Sequence, residues 1–277
     1  MNRLTLYLFN CRLNNLPIFF MLLTSIFQFS PKWLDIKHNL QEIATACQNI
    51  SEPSDLLLLP EMFNAAYVLD PALLSPQWQE ETLSELKSLA SLHDIAIGGS
   101  IPFFEEHKWY NRFILVEPNG HIQSYDKIQL FAPAGEKNAY QSGHTVKTFL
   151  FKNWNIQPLI CYDLRFPYLS FPDQSPDLLI YAANWPQTRV HHWKSLLIAR
   201  AIENQCYVIG VNRTGSDENG FVYPGVSMVV NYNGVVVSEL NDQSGMCSIA
   251  LDLEAMQQFR AKLPFAADRL KGLMNIK

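Results

Sequence analysis

The chain has no cluster or stripe of lysine and arginine. Its 21 basic residues face 26 acidic ones, a formal net charge of -5, so nucleic acid and anionic membranes lack electrostatic support as partners. Paired cysteines are missing too. Cys11, Cys47, Cys161, Cys206 and Cys247 are odd in number, widely spread and never in a CxxC pair. That argues against a disulfide framework or zinc knuckle and fits a reducing cytoplasm. His191 and His192 lie side by side, but adjacent helical residues face different directions and no HExxH pattern accompanies them. No metal site is expected, and no papain-like histidine motif partners any cysteine. Residues 16–27 are apolar except at Pro17, Thr24 and Ser25, yet too few to span a bilayer.

What the chain does have is apolar bulk. Of 277 residues, 48% are hydrophobic and 17% charged, enough to bury a large interior and to exclude disorder. No linker, repeat or low-complexity stretch divides it. Arg3 could open a signal peptide, but Asn10, Arg12, Asn14 and Asn15 interrupt the apolar core and no small-x-small site follows. Cleavage would also remove residues 22–29, which read as a first strand. The expected organisation is an N-terminal extension over 1–20 and one domain over 21–277.

From residue 21 onward strands and helices alternate. Residues 32–49 carry Ile36, Leu40, Ile43, Ala44 and Cys47 on one helical face. Residues 56–60 form a short continuous apolar run, the pattern of a strand covered on both faces. Helices are predicted over 76–93 and 190–204, and strands over 95–101, 178–182 and 207–212. Pro118-Asn119-Gly120 joins two strands (109–117 and 121–126), Lys152-Asn153 is a second hairpin candidate, and residues 231–234 turn a third. A closing strand over 247–251 precedes a C-terminal helix. Hairpins mixed with helical crossovers predict a layered α/β domain with helices outside two sheets.

Three residues stand in odd company. Cys161 ends the apolar run 156–160 and is followed at once by Tyr162, Asp163, Leu164 and Arg165. A cysteine at a strand end before a possible helix start is placed to become a thiolate; the other four cysteines read as structural. Glu61 abuts four leucines and Pro60, where a carboxylate is heavily penalised unless paired. Met62 and Phe63 follow it, suggesting a lined pocket. Lys127, in Tyr125-Asp126-Lys127-Ile128, carries little signal alone, since most lysines are solvated. Near a thiolate it would stabilise charge developing on a carbonyl oxygen.

In this order and with these flanks, Leu59-Pro60-Glu61-Met62-Phe63, Tyr125-Asp126-Lys127-Ile128 and Cys161-Tyr162-Asp163-Leu164-Arg165-Phe166-Pro167, the chain resembles the nitrilase (carbon–nitrogen hydrolase) superfamily and its Glu-Lys-Cys triad. The resemblance runs from about residue 21 to the C-terminus and is nearest to bacterial omega-amidases, which hydrolyse the terminal amide of 2-oxoglutaramate or 2-oxosuccinamate. Supporting stretches are 181–186, 200–205 and 210–215. Gln129 and the pair Ala132-Pro133 depart from that branch, in the loop leading to Glu136.

The resemblance implies a four-layer α-β-β-α sandwich, a small amide as substrate, no metal or organic cofactor, and a homodimer paired through helices near the nucleophile. It also implies roles. Glu61 moves the proton, Cys161 attacks, Lys127 and the Tyr162 N–H hold the oxyanion, and Glu136 positions Lys127. Nitrilase and N-carbamoyl amine hydrolase activities share this triad, and a non-catalytic metabolite-binding member is the alternative of another class. Phe63, Tyr67, Phe131, Tyr162 and Trp185 are candidate pocket walls, Trp185 foremost because it follows Asn184. Arg165 and Arg189 are candidates for a substrate carboxylate, Arg165 having internal pairing with Asp163 as its equal reading.

Overall fold

The computed structural model describes residues 20–171 and 175–268. The expected extension, apart from Phe20, lies outside the described residues, as does Cys11.

In chain order, β1 (Met21–Gln28), α1 (Ile36–Gln48), β2 (Leu56–Leu58), α2 (Pro76–His93), β3 (Ala96–Glu105), β4 (Lys108–Val116) and β5 (Ile122–Asp126) form the first half. A short helix α3 (Glu136–Ala139) leads to β6 (Phe149–Phe151), β7 (Trp154–Ile160), β8 (Leu178–Ala183), α4 (Val190–Asn204) and β9 (Tyr207–Asn212). Then come β10 (Thr214–Ser216), β11 (Val222–Pro224), β12 (Met228–Val230), β13 (Val236–Glu239), β14 (Gly245–Asp252) and α5 (Leu253–Lys262). Two six-stranded sheets result, ordered β14-β1-β2-β3-β4-β5 and β13-β12-β9-β8-β7-β6. β1, β2 and β3 run parallel, as do β7, β8 and β9; hairpins and β14 complete the edges antiparallel.

Side-chain alternation builds the layers. On β2 and the residue after it, Leu56 and Leu58 face the core shared by the two sheets, while Leu57 and Leu59 face α1 and α2. On β4, Phe113 and Leu115 point inward, and Ile114 and Val116 point to the helices. Each of these side chains is essentially fully buried, worth about 2 kcal/mol apiece relative to exposure. This period of two makes both faces apolar, so the strand reads as one continuous hydrophobic run. On the second sheet, α4 sets Trp193, Leu197 and Ala201 against the outer face. Gly210 on β9 makes room for them; a Cβ there would lie 2.5 Å from both Leu197 and Trp193. The molecule is therefore the four-layer α-β-β-α sandwich anticipated.

The two helices over the first sheet carry their start signals, whereas α4 has no side-chain cap. Ser75 caps α2 through Gln77 N–H with Pro76 at the first position, and Asp35 caps α1 through His38 N–H. The Lys152-Asn153 turn has both residues in the left-handed region, at φ 45° and 67°, as a two-residue hairpin of this twist requires. Residues 247–251 do close the fold, but by pairing across the chain with β1, Met21 opposite Asp252. The β10–β11 hairpin was not foreseen; its strands have only three residues each.

Candidate active site

Parallel strands deliver their C-terminal ends to one edge of the sandwich, where polar side chains can be exposed without crossing the core. Glu61 follows β2, Lys127 follows β5, Cys161 follows β7 and Asn184 follows β8. Glu61, Cys161 and Asn184 line one cavity of about 460 Å³.

Glu61 is fully buried, and four donors surround its carboxylate. Lys127 Nζ and Asn111 Nδ2 donate to Oε1 at 2.8 Å each, and Asn184 donates to Oε2 from its backbone N at 2.9 Å and its Nδ2 at 3.2 Å. Lys127 also donates to both oxygens of Glu136 at 2.9 and 2.8 Å. Glu136, equally buried, further accepts from Asn111 Nδ2 at 3.0 Å and Phe131 N at 2.6 Å. Two carboxylates thus share one ammonium. Burial works against the Lys127 charge, but the carboxylates of Glu136 and Glu61 outweigh it, and its pKa stands above the ordinary value.

Cys161 opens a 3₁₀ turn, Cys161–Arg165, with its own φ at 44°. A non-glycine residue in that region costs about 1–2 kcal/mol, a strain characteristic of functional turns. Asp163, fully buried, holds the turn. It accepts from Ile160 N at 3.0 Å, Gln129 N at 2.8 Å and the Tyr125 hydroxyl at 2.8 Å. Burial lifts its pKa to about 6, partly offset by those donors. The thiol sulfur lies 3.9 Å from the Asn184 carbonyl oxygen. The thiolate expected at this position is not the resting form. Burial and then the Glu61 carboxylate push the thiol pKa well above its usual range, and Lys127 only partly counters them. A neutral thiol must give up its proton to attack, and Glu61, lining the same cavity, is placed to take it.

The candidate residues divide by location. Glu61, Lys127, Glu136 and Cys161 form one cluster. Tyr162, Trp185, Arg165 and Arg189 line the cavity. Phe63 does not: it is buried among the side chains under α1 and α2, packed beside Gly99. A strand-end turn reverses the chain directly after Glu61, with Met62 at φ 48°, so the next aromatic faces the outer core rather than the pocket. Asn184 lines the cavity but spends its side-chain amide on the Glu61 carboxylate and carbonyl. Arg165 does not pair with Asp163, whose oxygens are already taken. Its guanidinium lies over the Trp185 ring at 4.7 Å and meets His192 Nδ1 at 3.3 Å. Arg189 lies over Phe131 at 5.6 Å.

Asn111 was missed by sequence reasoning. It bridges Glu61 and Glu136 from the middle of β4, fully buried. Its one signal is polarity at the start of the apolar run Phe113–Val116, and a single asparagine in a strand carries little weight alone.

Among the described residues no group of histidine, cysteine or acidic side chains could hold a metal ion. No described helix is long and apolar enough to cross a membrane. Known proteins match the chain over most of its length. The chain is 38% identical over 243 residues to an omega-amidase, YafV, of Yersinia enterocolitica, covering 87% of this chain and 94% of that one. A 2-oxoglutaramate amidase of Bacillus subtilis is 31% identical, with 90% and 98% covered. Among solved structures, a CN-hydrolase superfamily protein from Xanthomonas campestris, carrying an arsenic adduct in its active site, superposes with a TM-score of 0.82 at 32% identity, covering 91% and 98%. The family model for carbon–nitrogen hydrolases matches residues 23–261, and on a match of that extent this chain belongs to the carbon–nitrogen hydrolase family.

Proposed function

We propose that this enzyme is an omega-amidase, releasing ammonia from the terminal amide of a small 2-oxo acid such as 2-oxoglutaramate or 2-oxosuccinamate. Cys161 attacks the amide carbon as Glu61 receives the thiol proton. Lys127, held by Glu61 and Glu136, and the Tyr162 N–H take up the oxyanion; the first N–H groups of a helical turn have no partner within it. Glu61 returns the proton to the departing nitrogen, leaving a thioester. A water deprotonated by the same carboxylate then releases the acid.

One observation carries this reading: a buried lysine shared by two buried carboxylates, one of which lines the same small cavity as the cysteine. The cavity also offers two cations that could meet a substrate carboxylate. Arg165 and Arg189 both line it, and neither has an ion-pair partner among the described residues. Amidase names on relatives sharing up to 38% identity support the substrate class.

The reaction belongs in the cytoplasm, a reading supported by the free thiols Cys47, Cys161 and Cys247. The working form is a homodimer. The exposed Tyr168, His191 and His192, beside the nucleophile turn and on α4, offer the face that pairs.

A panel of amides, nitriles and carbamoyl amines monitored for ammonia tests the proposal. The 2-oxo acid amides are expected to be turned over well ahead of glutamine, and Cys161→Ala to abolish turnover with its melting temperature unchanged. Preference for a nitrile or a carbamoyl amine, or silence on all of them, would overturn it.

A further inference from the structure

Among the described residues, three polar groups around the triad are left without a protein partner, the Oδ1 atoms of Asn111 and Asn184 and the hydroxyl of Tyr67, and of these only Tyr67 carries a group that can both accept and donate. It lines the cavity together with Glu61 and Cys161. Its hydroxyl has no hydrogen-bond partner among the described residues, although it lies within the fields of Glu136, Glu61 and Cys161. The backbone spends energy to hold the ring there. Met62 and Ala66, both buried, sit in the left-handed region at φ 48° and 60°. The loop between them is pinned by Met62 N donating to Ser100 Oγ and Phe63 N to Ser100 O, and just beyond Tyr67 the Tyr140 hydroxyl donates to Val68 O at 2.7 Å. Half-buried at the cavity wall, the hydroxyl is free to bond with whatever occupies the cavity.

We propose that Tyr67 is a further catalytic residue, whose phenol oxygen accepts one N–H of the primary amide and afterwards holds the water that replaces the departed ammonia. This rests on the amidase reading above. A primary amide presents two N–H groups. Glu61 can take only one, and the second needs an acceptor on the carboxylate side of the cavity. A phenol suits both stages because it accepts from nitrogen and then donates to water. Burial first, and then the charges of Glu136 and Glu61, keep the phenol from ionising, so both capacities persist throughout the working pH range.

The test compares wild type and Tyr67→Phe on a 2-oxo acid amide and on the methyl ester of the same acid. The ester's leaving oxygen bears no hydrogen, and kcat/KM reports acylation alone. Expected is a fall of about tenfold or more in kcat/KM for the amide, with the ester value within about twofold of wild type. Equal falls on both substrates would reduce Tyr67 to a structural residue, and no fall on the amide would remove it from the reaction. Both results overturn the inference while leaving the amidase reading intact. A wild-type enzyme silent on every amide would sink both together.

Discussion

Cys161 keeps its proton because the two groups expected to flank it act in opposite directions. Burial first, and then the Glu61 carboxylate, raise the thiol pKa more than Lys127 lowers it. Glu61→Gln is therefore expected to abolish hydrolysis yet shift iodoacetamide alkylation of Cys161 to lower pH, read as rate against pH by mass spectrometry of the labelled peptide. An unchanged or upward shift would contradict the geometry. Asp163 sets a second pH dependence. Its folded value of about 6 exceeds the ordinary 3.8, so between those values the folded state holds a proton the unfolded chain has released. The stabilisation from this group is complete below about 3.8 and is lost as pH rises through about 6. Activity runs the other way, because only the carboxylate accepts from Ile160, Gln129 and Tyr125 together. kcat/KM should fall below about pH 6, and Tyr125→Phe, which removes a donor favouring the charged form, should move that limb upward. A limb that stays in place would unseat Asp163 as the holder of the turn.

At the scale of elements, the strands were legible because their side chains are sorted by alternation, and two helices, Pro76–His93 and Val190–Asn204, coincide with the ranges read from periodicity. The β10–β11 hairpin was not, since three-residue strands contain too few alternations to register. Phe63 shows the same limit. Its neighbour Glu61 faces the cavity, but a left-handed Met62 turns the chain between them, and no local pattern announces that. Packing between α4 and β9 offers a test of element contact. Gly210→Ala places a methyl 2.5 Å from Leu197 and Trp193, and the overpacking should cost about 1–3 kcal/mol in urea unfolding. Turnover per folded molecule should remain within about twofold, since Gly210 touches no residue of the cluster. An unaltered urea midpoint would show that α4 does not press on the sheet as described.

For the whole molecule, the two sheets present the C-terminal ends of their parallel strands to the same edge, and the site forms where both halves contribute. Glu61, Lys127 and Asn111 come from the first sheet, Cys161 and Asn184 from the second. We propose that everything needed for this lies within residues 21–277. A chain lacking residues 1–20 should keep its melting temperature within about 2 °C and its kcat/KM within about twofold. A loss of stability or activity would make the expected extension part of the domain.

The sequence alone determined a layered α/β class and most of the run of elements, and it singled out Glu61 and Cys161, while Lys127 and Glu136 were picked out through the resemblance to a family. What the chain shows directly is local, residing in alternation, turn residues and the carboxylate and thiol that abut apolar runs. Only the tertiary structure decided that Asn111 bridges the two glutamates, that Asn184 serves Glu61, that Asp163 prefers Tyr125 to Arg165, and that the thiol rests protonated. Each of these depends on groups far apart in the chain meeting at the buried wall of one cavity. Which partner wins there is a matter of distance and burial, quantities that come into being when the sheets pack.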